Sequence, residues 1–102
     1  MKISAFAKNG ILHIVLDGEM DEHSASVARR ETDRLIDLSP PCERAYIHLE
    51  KVSFMDSTGI GFLIGRYKKL QRLGMECYLK DPNPTADKVL SLGGIYSLMP
   101  KI

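Results

Sequence analysis

The order of strand-like and helix-like segments is the feature of this sequence that most restricts its fold. Residues 3–8 and 11–16 alternate in polarity and flank Asn9-Gly10, a dipeptide that accepts positive φ at both positions and predicts a two-residue hairpin. The second segment is apolar on both faces, which is typical of a strand inside a sheet. The sequence therefore predicts an antiparallel hairpin at one side of a larger sheet.

The rest of the chain alternates between helix and strand patterns. Helices are predicted over about 24–38, 57–73 and 85–92, and strands over 45–49, 76–80 and 95–99. Ser24 and Thr85 are the expected N-caps of the first and third helices, and residues 17–21 and 50–55 are expected to be links. Strands separated by helices pair in parallel through right-handed crossovers. We therefore expect an α/β fold, in which α-helices cover a mixed β-sheet, and a single domain over residues 1–102.

Composition and charge argue against several classes of function. A formal net charge of +1 without a basic run gives no footprint for nucleic acid. No apolar run reaches the roughly 20 residues that span a bilayer, and the N-terminus lacks the apolar core of a signal peptide. We expect a cytoplasmic protein that binds neither nucleic acid nor membrane.

The residues that could hold a metal ion or perform catalysis are scattered. Cys42 and Cys77 have no His or Cys partners at ligand spacing, so we expect reduced thiols, no metal site and no cofactor. His13, His23 and His48 form no ligand set, and no nucleophile elbow surrounds a serine. The sequence therefore indicates a protein that is not an enzyme.

The candidate functional residues lie at the predicted start of the second helix, in Asp56-Ser57-Thr58-Gly59. Free backbone N–H groups and the positive end of the helix dipole meet there, and both favour a phosphate. Asp, Ser and Thr are also the usual capping residues. Residue type alone therefore leaves a phosphate-accepting site and a plain N-cap both open.

Three glycines, Gly59, Gly61 and Gly65, fall inside this helix, although each costs roughly 1 kcal/mol relative to alanine. Gly61 and Gly65 share a face, and a bare face allows another backbone to approach closely. That backbone could belong to the same domain or to a partner. The apolar stripe of this helix consists of Ile60, Leu63, Ile64, Tyr67 and Leu70. The side opposite that stripe carries cations that are expected to be solvated or to contact an acidic partner: Arg66, Lys69 and Arg72.

The stretch Met-Asp-Ser-Thr-Gly-Ile-Gly at 55–61, followed by Gly-Arg-Tyr-Lys at 65–68, resembles the signature of a known family. It is similar to that of the anti-sigma factor antagonists of the STAS domain family, and most similar to the stage II sporulation type. Residues 16–21 resemble the family's Gly-Glu-hydrophobic-Asp turn, and residues 46–54 its central strand. Thr58 stands where a second serine is more usual.

This resemblance implies a regulator of transcription that is itself a phosphoprotein. Ser57 would be phosphorylated by a partner that is both an anti-sigma factor and a serine kinase of the GHKL ATPase type. The unphosphorylated form would bind that partner and release the sigma factor, and a PP2C-type phosphatase would reset the switch. The residues implied to contact the partner or form the switch are Glu19, Asp21, Asp56, Thr58, Gly59, Gly61 and Gly65. An alternative from another class is a scaffold STAS module of a stress-sensing assembly.

Overall fold

The computed structural model describes every residue from Met1 to Ile102. The elements are β1 (Lys2–Lys8), β2 (Ile11–Met20), α1 (Glu22–Leu38), β3 (Arg44–Met55), α2 (Ser57–Arg72), β4 (Glu76–Lys80), α3 (Pro84–Leu92) and a 3-10 helix (Ile95–Ser97). The four strands form one sheet in the order β1-β2-β3-β4. β1 and β2 are antiparallel, whereas β2 pairs with β3 and β3 with β4 in parallel. The predicted α/β fold with a mixed sheet is confirmed.

The hairpin forms where the sequence predicts it, but two strands extend further than expected. Asn9 and Gly10 both have positive φ (54° and 78°), as the two-residue hairpin requires. β2 continues through Met20 and β3 through Met55, with register shifts between Val15 and Asp17 and between Gly18 and Glu19. The links predicted at residues 17–21 and 50–55 are therefore wrong, because these irregularities keep polar segments paired.

Two helices begin earlier than predicted, with the cap of α1 three residues and the cap of α3 two residues upstream of the expected one. Asp21, and not Ser24, caps α1. Its Oδ1 accepts from Ser24 N at 3.0 Å, while Ser24 Oγ accepts from Asp21 N at 3.1 Å. Asn83, and not Thr85, caps α3 through a 2.8 Å bond from Ala86 N. In both cases an Asp or Asn upstream already supplies the acceptor, so the hydroxyl residue falls inside the helix.

The strand predicted at residues 95–99 is also wrong, because Ile95–Ser97 forms a 3-10 helix that follows Gly94 at φ 69°. The chain meets the sheet only afterwards. Leu79 N donates to Pro100 O, and Ile102 N donates to Leu79 O, both at 2.9 Å. An apolar pattern over five residues cannot by itself distinguish a strand from a buried helical turn.

The core lies on one side of the sheet, beneath the three helices. Alternate residues of β2 and β3 are fully buried against α1, α2 and α3 and belong to one cluster of 21 buried residues. The strand residues of this cluster are Leu12, Ile14, Leu16, Met20, Ala45, Ile47, Leu49, Val52, Met55, Cys77 and Leu79. Side chains on the opposite face of the sheet are absent from this cluster, so that face carries no covering helix.

Candidate functional site

Ser57 is the first residue of α2, and its side chain is exposed. Asp56 caps the helix, as anticipated, and its Oδ1 accepts from Thr58 N at 2.9 Å. The Asp56 backbone N–H donates to Met20 O at 3.3 Å, which ties the start of α2 to the end of β2. The Ser57 hydroxyl has no hydrogen-bond partner in the protein and therefore faces solvent at the positive end of a helix dipole.

The end of β2 and the cap of α1, which comprise Glu19, Met20 and Asp21, lie directly beside this helix start. Glu19 pairs with Phe54, and Met20 with Met55, at the carboxyl ends of β2 and β3. Glu19 is exposed, whereas the Asp21 carboxylate is engaged in capping α1. The backbone N–H groups of Ser24 and His23 donate to this carboxylate and hold the pKa of the Asp21 carboxyl below its usual value. The structure therefore brings together the two segments that the resemblance singled out.

The three glycines of α2 have different surroundings. A Cβ on Gly59 would lie 2.5 Å from Met55 Cγ and 3.2 Å from Met20 Cγ, so the core beneath the start of α2 leaves no room for a side chain at this position. A Cβ on Gly61 or Gly65 would meet no atom within 4 Å. No neighbouring element of the same chain therefore occupies the face shared by Gly61 and Gly65.

Gly61 and Gly65 instead line an open groove of about 590 Å³ between α1 and α2. The groove also includes Thr58, which places it next to the exposed hydroxyl of Ser57. Its remaining lining residues are Glu22, Ala25, Ser26, Arg29, Phe62 and Arg66. We call this feature the α1–α2 groove.

The solvated basic face predicted for α2 is only partly correct. Arg66 is 5% exposed and lies between the helices, with Nε 2.8 Å from Asp33 Oδ1. Lys69 pairs with Asp37 of α1 at 2.8 Å, and Arg72 alone of the three is exposed. The spacing of Asp33 and Asp37, one turn apart on α1, was the signal for these contacts.

Arg66 is incompletely satisfied in its buried position. Its Nε lies close to Asp33 Oδ1 without an aligned hydrogen bond, and its Nη1 has no hydrogen-bond partner. Burial lowers the pKa of Arg66, and the nearby Asp33 carboxylate opposes that effect. The Arg66 guanidinium also lies 5.2 Å from the ring centre of Phe62. Arg66 therefore joins the two walls of the α1–α2 groove.

The cysteines and histidines lie away from this site. Cys42 and Cys77 are unpaired, and burial raises the pKa of the Cys77 thiol to about 12. His13 and His48 lie on the uncovered face of the sheet, with Nδ1 of the first 2.8 Å from Nε2 of the second. The side chains form no group of three or more His, Cys, Asp or Glu suited to a metal ion. None of the helices has both the length and the apolar character needed to span a bilayer.

Comparison with known proteins gives a consistent result along the whole chain. Residues 2–102 match the STAS domain. The chain is 35% identical to an anti-sigma F factor antagonist of Paenibacillus polymyxa, over 89% of this chain and 77% of that protein. It is 33% identical to an anti-sigma F factor antagonist of Lysinibacillus sphaericus, over 80% of this chain and 69% of that protein.

The solved structures agree with the sequence relatives. The anti-sigma factor antagonist SpoIIAA in its unphosphorylated form superposes with a TM-score of 0.76 at 27% identity, over 99% of this chain and 88% of that one. The Bacillus cell fate determinant SpoIIAA in its phosphorylated form superposes with a TM-score of 0.67 at 27% identity, over 99% of this chain and 91% of that one.

Proposed function

The chain belongs to the STAS domain family, and from this premise we propose that it is an anti-sigma factor antagonist switched by phosphorylation of Ser57. Relatives from two organisms, at 33–35% identity, are anti-sigma F factor antagonists. A protein of the same fold and 27% identity has been solved both without and with its phosphate. In this proposal, the protein acts by binding an anti-sigma factor and thereby releasing the sigma factor.

The proposed partners follow from this role. The anti-sigma factor is a GHKL-type serine kinase that phosphorylates the bound antagonist, and a PP2C-type phosphatase removes the phosphate. The protein itself is a regulatory binding module of one STAS domain, residues 1–102, and not an enzyme. It acts in the cytoplasm, because transcription takes place there, and it contacts neither nucleic acid nor membrane.

The observation that carries the assignment of Ser57 is its exposed hydroxyl at the first position of α2. A phosphate at this position is stabilised by the positive end of the helix dipole. Thr58 is less accessible, because it is half-buried and lines the α1–α2 groove. These differences favour Ser57 over its neighbour as the acceptor.

The proposed contact surface consists of the two adjacent turns and the groove beside them. Glu19 supplies an exposed carboxylate, while Asp21 and Asp56 position the turns by capping α1 and α2. Thr58, Gly61 and Gly65 offer the open wall of the groove, and Gly59 holds the start of α2 close to the core. A partner that reaches into the groove would therefore also cover Ser57.

The switch in this proposal is a local one. A phosphate adds about 1.5 to 2 negative charges at pH 7, close to the Asp56 carboxylate. Charge repulsion, the bulk of the phosphate and the cost of removing water from it at the contact surface then weaken binding by at least about a hundredfold. Refolding of the domain is not needed, since the anion lies in solvent at a helix end that already favours it.

The experiment that tests this proposal is phosphorylation by a GHKL-type anti-sigma kinase, with ATP, followed by mass spectrometric mapping. We expect one phosphate on Ser57, no labelling of Ser57→Ala, and normal labelling of the matched control Ser53→Ala, an exposed hydroxyl on β3 outside the proposed contact surface. Phosphate found mainly on Thr58 or Ser53 would contradict the assignment.

A binding measurement on the same site tests the local mechanism. Ser57→Asp should bind the anti-sigma partner poorly while keeping the circular dichroism spectrum and melting temperature of the wild type, and Ser57→Ala should remain bound. Equal affinity of the two variants would contradict repulsion at the contact surface. Loss of the folded spectrum in Ser57→Asp would point to a conformational switch instead.

A further inference from the structure

The face of the sheet opposite the helices carries a continuous row of rings. Phe6, His13, Tyr46 and Tyr78 come from β1, β2, β3 and β4 in turn, and the strand registers place them side by side. Adjacent ring centres are 4.8, 5.6 and 5.7 Å apart. We call these four residues the aromatic row.

Nothing in the chain covers this row. Phe6 is 51% exposed, the other three rings are half-buried, and none of the four belongs to the core cluster. The proposed switch site lies at the ends of β2 and β3 and along the helices, so it does not use this face. Rings held by one another lose little freedom on binding, and aromatic residues are enriched at the centres of protein interfaces.

Two rows of residues flank the aromatic row, and residues of one row can pair with residues of the other when two copies of the chain face each other. One flanking row contains Lys8, Ile11, Arg44 and Glu76, and the other contains Ser4, Val15, His48 and Lys80. A two-fold axis along the aromatic row exchanges these flanks between two copies. It brings Ile11 opposite Val15, and Glu76 opposite Lys80, of the second copy.

From this pattern we propose that the uncovered face binds a second copy of the chain, face to face, about a two-fold axis along the aromatic row. Isologous dimers of this kind are the commonest symmetric assemblies. Facing sheets pack about 10 Å apart with strands within about 30° of each other, so the opposed rows remain in reach at the centre of the face.

Two opposed pairs remain, Lys8 with Ser4 and Arg44 with His48, and at neutral pH neither pair sets two cations against each other. Burial, together with the nearby Lys80, lowers the pKa of both His13 and His48. The shift favours the neutral form of both rings, and the hydrogen bond between their nitrogens requires that at least one of them be unprotonated. The Arg44 guanidinium then faces a neutral ring and not a second cation.

The size of the face sets the strength of the association. Four strands about 4.8 Å apart and about seven residues long cover roughly 450 Å², so two copies would bury about 900 Å² in total. This is below the roughly 1,200–2,000 Å² of a stable interface. The dimer is therefore weak, with a dissociation constant on the order of 0.1–1 mM.

Sedimentation equilibrium of the unphosphorylated protein at pH 7.5, from about 20 μM to 2 mM, tests the proposal. The wild type should pass from monomer to dimer over this range. Glu76→Lys and Lys80→Glu should each weaken the dimer at least about fivefold, because each creates two like-charge contacts. The double variant Glu76→Lys/Lys80→Glu should recover wild-type association within about twofold.

Two features make this comparison specific. Glu76 also accepts a 2.7 Å hydrogen bond from Tyr78 of its own chain, and the double variant lacks this bond too, so its recovery reports on the contact between copies. Lys88→Glu, on the exposed side of α3, is the matched control and should associate like the wild type. Circular dichroism establishes that every variant is folded.

Several outcomes would overturn the proposal. These are a wild type that stays monomeric at 2 mM, assembly beyond the dimer, single variants that associate like Lys88→Glu, or a double variant as weak as the single ones. The proposal does not rest on the function of Ser57, since the two sites share no residues.

Discussion

Alanine substitutions at the glycines of α2 test the packing around the proposed switch site. Gly59 is closely surrounded by core side chains, whereas Gly61 and Gly65 have no neighbouring atom within 4 Å of a Cβ. A Cβ at Gly59 would lie 2.5 Å from Met55 Cγ and 2.8 Å from Met55 Sδ. Met55 and Met20 are both buried, so Gly59→Ala forces core side chains to move. Such overpacking costs about 1–3 kcal/mol, against a gain of about 1 kcal/mol in helix propensity.

We therefore expect Gly59→Ala to lower the free energy of unfolding by about 1 kcal/mol, which corresponds to a melting temperature about 4–8 °C lower for a chain of this size. Gly61→Ala and Gly65→Ala should instead raise it by about 0.5–1 kcal/mol, because neither Cβ meets an atom within 4 Å. Thermal and urea unfolding followed by circular dichroism measure all three values.

Further variants of α2 distinguish effects on stability from effects on partner binding. Gly61→Leu fills the α1–α2 groove and should weaken binding of the anti-sigma partner while leaving the melting temperature at or above the wild-type value. Lys68→Leu, on the exposed side of α2, is the control and should bind normally. The packing argument is refuted if Gly59→Ala is as stable as Gly61→Ala, and the groove argument is refuted if Gly61→Leu binds like Lys68→Leu.

Two further predictions concern charged and titrating side chains. Arg66→Ala should lower the free energy of unfolding by about 2–3 kcal/mol, since it removes a buried side chain and leaves Asp33 unpaired. The exposed control Arg72→Ala should change it by less than about 0.5 kcal/mol. Equal effects of the two variants in urea unfolding would contradict this. Burial and the nearby Lys80 lower the pKa of His48 in the folded state. As the pH falls, the unfolded chain therefore binds a proton at His48 more readily than the folded chain does, and the free energy of unfolding decreases below the unfolded pKa of about 6.5. His48→Asn should therefore lose less stability than the wild type between pH 7.5 and 5.5, and parallel losses would show that the His13–His48 pair does not titrate in this way.

Periodicity and capping chemistry were enough to predict most of the architecture. The hairpin at Asn9-Gly10 and the helices α1 and α2 depend on neighbours close in sequence, and these elements are confirmed. Asp56 was also among the possible caps, because Asp, Ser and Thr are the usual capping residues, and in the structure it caps α2. Local interactions dominate at each of these positions, so the sequence carries the information directly.

The errors arose where contacts distant in sequence decide the structure. β2 continues through Gly18 and Glu19 because β3 supplies pairing partners there, which no local pattern reveals. Arg66 reads as a solvent-facing cation, yet Asp33 on another helix draws it into the interface. The sequence likewise located Gly61 and Gly65 but could not show whether the space above them was filled, since that depends on the separation of α1 and α2.

The contacts of the first turn of α2 support the proposal that phosphorylation acts locally. Gly59 sits against Met55 and Met20, and the Asp56 N–H bonds to Met20 O, so the first turn of α2 is fixed to the ends of both central strands. A charge added at Ser57 therefore meets a helix start that has little freedom to move. The response to such a charge must then appear at the outer surface, where Glu19 and the open wall of the groove lie. A partner that binds there would detect the phosphate directly, without any rearrangement of the core.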